Sequence, residues 1–398
     1  MEETELLVVG CGPAGGIAAR EAARSGVATT VLEKDTVVGA KRVCAAGLRP
    51  GFCETFDLPR ALVHCDTPRL ALFDPAGKEY ELSIVPGHTT TREELDGTIG
   101  ALATREGANV RTSALYKSFH RAGDKLIVEY ADLTTGTRQQ IATRNIFFAQ
   151  GSTAKLEDGE FAYDNWTNGL VTTLQYRIYL DRPANAIAYQ TLEMHYFATQ
   201  DGRMTVAWMF PKRDHLAIGL GVMGKMPGAQ LRYELDRFTE RVRARLYPSV
   251  TFTTKLEGHL LYGGAPRPEI AAPGAMVGGT AAGLVDATNG EGIYEAAMSG
   301  RFAADAVATT RSQPLHAALR YSKALKQRFY KRLQHREKLM RYLERLPSRY
   351  ATLFDQLAGS AKFVDILQRE DHERSMFERL YLYTQALRFA ARSLRPSA

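Results

Sequence analysis

The stretch Gly10-Cys11-Gly12-Pro13-Ala14-Gly15 constrains this chain more than any other, because glycines at this spacing fit one kind of turn between a strand and a helix. Before it, Leu6-Leu7-Val8-Val9 has the apolar character of a buried strand. After it, Ile17 to Ala23 reads as a helix ending at Gly26. In such a turn the first glycine permits the bend, the second lets the backbone approach a pyrophosphate, and the third lets the helix pack on the strand. The helix N-terminus then offers unpaired N–H groups to the phosphates. A second strand, Thr29 to Leu32, ends at Glu33, where a carboxylate meets the hydroxyls of an adenosine ribose. The expectation is a dinucleotide site.

At 398 residues the chain has room for two or three subdomains. Its four cysteines, Cys11, Cys44, Cys53 and Cys65, lack metal-like spacing and read as reduced thiols of a cytoplasmic protein; no metal site is expected. No run approaches the roughly 20 apolar residues that cross a bilayer, and the polar start Met1-Glu2-Glu3-Thr4 does not read as a signal peptide. The net charge of +7 is uneven: residues 311–349 hold twelve Lys and Arg against Glu337 and Glu344. That stretch suits anionic lipid headgroups, an acidic partner or nucleic acid, or simply forms a solvated helix face.

Along the chain, Lys41 to Leu48 is a small-residue segment that would lie beside the isoalloxazine or ribityl part of a flavin if the dinucleotide is FAD. Cys44 would then be a proton donor or a gate at the ring, or else a small buried hydrophobe. Leu70–Phe73 and Tyr80–Ile84 read as a hairpin, and Thr91 with Glu94 as the capping box of a helix running to Glu106. Strands at 110–112, 116–119, 126–130 and 145–149 return to the nucleotide sheet, the last closing on Gln150-Gly151-Ser152. Residues 170–262 alternate with period two in five segments (174–180, 186–189, 192–197, 204–210 and 216–222), which predicts an antiparallel sheet with one face on a core or ligand. A helix at 231–247 interrupts it. A second glycine turn, Gly278-Gly279-Thr280-Ala281-Ala282-Gly283, precedes a loop and the helix 294–309, and suits a ribityl phosphate and the flavin pyrimidine edge. The remainder is helical, ending in an amphipathic segment 380–394.

Taken together the chain resembles the geranylgeranyl reductase family, flavoproteins of the fold shared with p-hydroxybenzoate hydroxylase. The pieces that carry the likeness are Arg42-Val-Cys44-Ala-Ala-Gly47, similar to K-P-C-G-G-G; Thr91-Arg92-Glu-Glu-Leu-Asp96, similar to R-x-x-x-D; Trp208-Met-Phe-Pro-Lys212, similar to W-x-F-P-K; and Gly290-Glu-Gly-Ile293. Phe363-Val364, Asp371 and Leu380–Tyr383 look most like the chlorophyll and bacteriochlorophyll branch. Three positions depart from the pattern, one of them Val206, where the family usually carries an aromatic two residues before Trp208. Thr280 stands where the family carries Asp, and Gln150 stands where it has Asp in A-D-G. Both side chains still hydrogen-bond, so FAD is retained as the cofactor.

The resemblance implies an α/β fold, a Rossmann-type FAD-binding domain (1–64, 87–155 and 265–312) with an inserted antiparallel-sheet substrate domain (65–86 and 156–264) and a C-terminal helical region (313–398). It implies FAD contacts from Gly10, Gly12, Pro13, Ala14, Gly15, Glu33, Lys34, Arg42, Cys44, Ala45, Arg92, Gln150, Gly279, Thr280, Gly290, Gly292 and Ile293. Cys44, Trp208 and Phe210 are the catalytic candidates, and Tyr176, Tyr189, His195 and Trp208 line a substrate tunnel. The implied activity is FAD-dependent saturation of isolated prenyl double bonds, with NADPH or reduced ferredoxin as electron donor, a prenyl-chain substrate, peripheral contact at the inner membrane face and no nucleic acid. A flavin monooxygenase or halogenase of the same fold, and a non-catalytic flavin- or lipid-binding relative, are the alternatives; the W-x-W-x-x-I-P pattern of halogenases is reduced here to Trp208 and Phe210-Pro211. Oligomeric state is left open.

Overall fold

The structure, a computed structural model, describes every residue except 41–43, 155, 157–160, 164–165, 181–189, 247–251, 311–312, 370–372 and 394–398. The expected strand at 186–189, together with Arg42, Tyr189 and Asp371, lies outside the described residues.

Two eight-stranded sheets organise the chain. The first is built on β1 (Glu2–Val9), flanked by β2 (Thr29–Leu32) and β9 (Arg138–Phe148), with β6 (Asn109–Arg111) beyond β2 and β16 (Ala275–Val277) beyond β9. These five run parallel, Val8 facing Val31 on one side and Phe147 on the other. Leu6 to Val9 are buried on both faces, which is why this stretch reads as a continuous apolar run. The short β15 (Ala271–Ala272) and the hairpin β7 (Ala114–Ala122) with β8 (Lys125–Asp132) complete the sheet. Helices α1 (Pro13–Arg24), α3 (Arg92–Arg105) and α5 (Ile293–Thr309) cover it, α2 (Phe52–Thr55) being a single turn. Thr91 caps α3 as expected, accepting from the Glu94 N–H at 3.4 Å, a contribution of about 1 kcal/mol.

The second sheet has the order β14 (Phe252–Tyr262), β10 (Leu170–Leu180), β13 (Leu216–Met223), β12 (Met204–Pro211), β11 (Thr191–Ala198), β4 (Cys65–Phe73), β5 (Glu79–Thr89) and β3 (Gly47–Leu48). It is not purely antiparallel, as the alternation predicted: β4 and β11 pair in parallel, Leu70 beside Leu192. Each opens its own antiparallel hairpin turning outward, β4 to β5 and β11 to β12. The chain between them passes through the nucleotide sheet and supplies the crossover a parallel pair requires.

One face of this second sheet packs on α4 (Gly228–Leu246) through Ile178, Ile218, Leu235 and Phe238. Part of the other face packs on the C-terminal helices. These are α6 (Pro314–Leu325), which passes through a π-turn (Lys326–Tyr330) into α7 (Lys331–Glu344), then α8 (Ser348–Ala358), α9 (Ala361–Gln368) and α10 (Met376–Ser393). Leu72, Leu82 and Tyr196 meet Tyr350, Phe354 and Val364 there. Part of the basic stretch 311–349 is ion-paired: Arg332 reaches the buried Glu295 of α5 and Arg336 the buried Asp286, while Arg320 with Asp305 and Arg341 with Glu337 pair at the surface. The first two pairs hold α7 to the nucleotide domain.

Candidate functional site

The glycine turn forms as the sequence requires. A side chain at Gly15 would overlap the Gly10 carbonyl oxygen, so only glycine lets α1 start this close to β1. Helix α1 opens at Gly12 with Pro13 at its first position and no side-chain cap; α5 opens at Gly292, also uncapped. Both helix starts line one cavity, so their unpaired N–H groups and positive dipole ends converge on it. Glu33 is fixed at the end of β2, where its carboxylate accepts from the Cys11 N–H at 2.8 Å and from the Asp35 N–H at 3.0 Å.

The cavity encloses about 990 Å³ and is continuous from the nucleotide sheet to the second sheet. Its polar arm is lined by Gly10, Gly12, Pro13, Ala14, Glu33, Lys34, Gln150, Gly279 and Thr280. Its middle is formed by Cys44, Ala45, Arg92, Gly290, Gly292 and Ile293, and its apolar arm by Leu70, Ile84, Leu192, Met194, Trp208 and Phe210. Gly15 stands behind the wall, packing helix on strand. The Gln150 side-chain oxygen is buried without a partner among the described residues, a polar atom aimed where a ligand donor would satisfy it. Volume, glycine cradle, paired helix starts and this orphan acceptor fit a flavin dinucleotide.

Arg92 and Asp96 form a buried pair one turn apart on α3, with Nη2 to Oδ2 at 2.6 Å. Burial pulls Arg92 down, and Asp96 together with Cys44 more than offsets it, so the guanidinium is held firmly protonated. Cys44 therefore sits beside a fixed cation, and its sulfur accepts from the Ala46 N–H at 3.3 Å. Trp208 Nε1 donates to the Gln175 side-chain oxygen at 3.0 Å, which sets the plane of the indole along the apolar arm. The four thiols are unpaired.

Tyr176 and His195 are corrected: both point away from the cavity. The period of a strand is two, so His195 faces opposite Met194. It stacks on Phe73 at 3.9 Å, meets Phe238 of α4 and bonds Glu193 at 3.0 Å. Tyr176 donates to Asp236 of α4 at 2.7 Å. These are packing and polar contacts of the sheet's far side. Sequence reasoning missed the ion-paired wall of Arg49 with Glu291 and Glu295. It missed Ser152 and His259 at the cavity edge, and Lys212 behind it. Lys212 and Glu291 stand in motifs whose pattern says nothing of their contacts, and no local pattern marks Arg49, Glu295 or His259, because their partners are distant in sequence.

The fold and this cavity define an FAD-dependent oxidoreductase architecture. A solved geranylgeranyl bacteriochlorophyll reductase-like protein from Thermoplasma acidophilum matches it with a TM-score of 0.71 over 96% of each chain at 23% identity. The p-nitrophenol 4-monooxygenase of Pseudomonas putida matches with a TM-score of 0.72 over 97% of this chain and 98% of that one at 15% identity. Both show the fold. By sequence the chain is similar to proteins named as geranylgeranyl reductases. It is 28% identical over 325 residues to the geranylgeranyl diphosphate reductase of Synechocystis sp., covering 77% of this chain and 75% of that protein. It is 26% identical over 354 residues to the digeranylgeranylglycerophospholipid reductase of Thermoplasma acidophilum, covering 83% and 85%. No family model matches.

Proposed function

We propose that this chain is an FAD-dependent ene-reductase that saturates isolated double bonds of a geranylgeranyl or other polyprenyl chain, carried on a diphosphate, a (bacterio)chlorophyll ester or another prenyl lipid. The observation that carries the reading is the single cavity in which a dinucleotide cradle opens into an apolar arm, with Cys44 at the junction. The names of the relatives point the same way.

When bound, FAD supplies two electrons as a hydride to one alkene carbon. The chain's own residues do the rest. The starts of α1 and α5 receive the anionic and carbonyl edges of the cofactor, and Glu33 accepts from ribose hydroxyls. Leu70, Met194, Trp208 and Phe210 align the prenyl chain and keep water from the reacting carbons, which matters because an isolated alkene is unactivated. The Cys44 thiol gives its proton to the second alkene carbon, and the thiolate left beside Arg92 takes a proton back from solvent. The division of labour follows the expected segments: 1–64, 87–155 and 265–312 hold FAD, 65–86 and 156–264 the chain, and 313–398 roof the apolar arm.

NADPH or reduced ferredoxin is the proposed electron source. No helix among the described residues is long and apolar enough to cross a membrane. Contact with an anionic membrane is proposed through α10, whose Met376, Phe377, Leu380, Tyr383 and Leu387 form an exposed stripe, with Arg379 and Arg388 on either side of it by helical position. Stopped-flow absorbance under anaerobic conditions tests the main reading. Reduced protein mixed with a geranylgeranyl-chain substrate should return to the oxidised flavin spectrum without dioxygen. Reoxidation that strictly needs dioxygen would favour the monooxygenase alternative that the fold also permits.

A further inference from the structure

Lys212 is 1% exposed, and among the described residues no carboxylate pairs with it. Its ammonium donates instead to the carbonyl oxygens of Ala45, and of Ala46 at 3.4 Å. A buried cation supported by backbone carbonyls and the face of Phe210, 5.9 Å from the ring centre, with no carboxylate beside it among the described residues, is expensive to keep, so its position calls for a purpose. Ala46 is one of three non-glycine residues in the left-handed region among the described residues, with φ +45, a conformation that must be held by its surroundings. Three contacts hold it, and a fourth holds the residue after it. Lys212 and the Thr90 N–H, at 3.0 Å, both take its carbonyl. Its own N–H meets the Cys44 sulfur at 3.3 Å. Phe210, two residues before Lys212 on β12, lies against Gly47, where an added Cβ would stand 2.9 Å from the ring. The end of β12 thus grips three consecutive residues of the segment that carries Cys44, and Thr89 Oγ1 ties the same end down by donating to the Pro211 carbonyl at 2.6 Å.

We propose that Lys212 is a positioning residue for Cys44: acting from behind the cavity wall through the Ala45 and Ala46 carbonyls, it fixes Ala46 in the conformation whose N–H holds the Cys44 sulfur toward the substrate. This deepens the reading of Cys44 as the proton donor and rests on it for its catalytic meaning, but the contact itself is independent of that role. Burial lowers the Lys212 ammonium to about 7, with Cys44 and Cys65 pushing it up and Arg177 pushing it down. His215, at the start of β13, is lowered chiefly by its own burial and feels the Lys212 charge as well. The grip is therefore charge-assisted below about pH 7 and weakens above it, as a neutral amine replaces the ammonium.

Amide hydrogen exchange of the flavin-loaded protein, corrected for intrinsic rates, tests this. In the unaltered chain the protection of Ala46 and Gly47 should fall by about tenfold as pH rises from 6 to 8, the loss of one charge-assisted hydrogen bond. In Lys212→Met protection should be lower by about tenfold at pH 6 and flat with pH; in Lys212→Gln, which keeps a neutral donor, it should be intermediate and flat. A pH-independent protection in the unaltered chain removes only the pH dependence of the grip; Lys212→Met with unchanged protection at pH 6 overturns the proposal. If Lys212→Met does not fold, Lys212→Gln decides by the same criterion. Turnover separates the two claims. Lys212→Gln should lower kcat for alkene reduction with KM unchanged if Cys44 is the acid. If Cys44→Ser leaves alkene reduction intact, the acid role falls while the exchange data still judge the grip.

Discussion

The indole of Trp208 lies flat on the backbone of the neighbouring strand at Gly219, its register partner on β13, so closely that a Cβ there would collide with the ring. Gly219 is thus a specificity element at one remove, for it gives Trp208 the depth it needs to line the apolar arm. Gly219→Ala should leave FAD content unchanged and raise KM for a prenyl substrate by roughly tenfold, the scale of about 1.4 kcal/mol of lost contact. Steady-state kinetics beside a flavin absorbance ratio check this; loss of flavin would show that the ring serves the cofactor arm instead.

Cys44 offers a separable test. Cys44→Ser keeps the size and the hydrogen-bonding group, so flavin reduction by the electron donor should remain normal while alkene reduction falls by about 10²-fold. Rapid-mixing measurements of the two half-reactions distinguish this from a packing role, in which both survive within a few-fold.

Asp286 ties the C-terminal helices to the loop before α5. Burial pushes its carboxyl up, but Arg336 and the hydroxyl and N–H of Thr288 outweigh burial and hold it below 3.8. A carboxylate lowered on folding contributes stability that is fully present above about pH 4 and is lost as pH falls through the folded-state value. Asp286→Asn should therefore cost about 1–3 kcal/mol at neutral pH, since it leaves Arg336 without its partner. The difference from the unaltered protein should shrink in urea titrations carried out below pH 4.

On α10 Phe377 and Leu380 are exposed, 77% and 60% accessible, while Gln385 is buried and bonds Gln356 of α8. Leu380→Glu should abolish sedimentation with anionic vesicles without changing the melting temperature, and salt should weaken binding of the unaltered protein. Sedimentation insensitive to both the substitution and salt would remove this helix from the account.

The nucleotide half of the site was legible because its signal is local. Gly10 to Gly15, the strand before and the helix after lie within one supersecondary unit, and Thr91 caps α3 from its own neighbourhood. The apolar arm was legible only in part. Period-two alternation announces a half-buried strand without saying which face meets the ligand, so Trp208 fell on the cavity side while His195 and Tyr176 fell on the α4 side. The pairs Arg332 with Glu295 and Arg336 with Asp286 were not legible in the run of cations. Their partners stand in another part of the chain, and only the tertiary fold brings them together. Lys212 was visible merely as part of a motif; its two carbonyl partners follow from the return of β12 beneath the Cys44 segment.

The central claim is that this cavity joins a flavin to an isolated prenyl double bond, and the mass of the product tests it most directly. Flavin-loaded protein, reduced with dithionite and incubated without dioxygen with a geranylgeranyl-chain substrate, should return a product heavier by two hydrogens for each double bond saturated, with no oxygen incorporated. A product that gains oxygen or halogen when dioxygen is admitted, together with an unchanged chain under anaerobic conditions, would contradict the account.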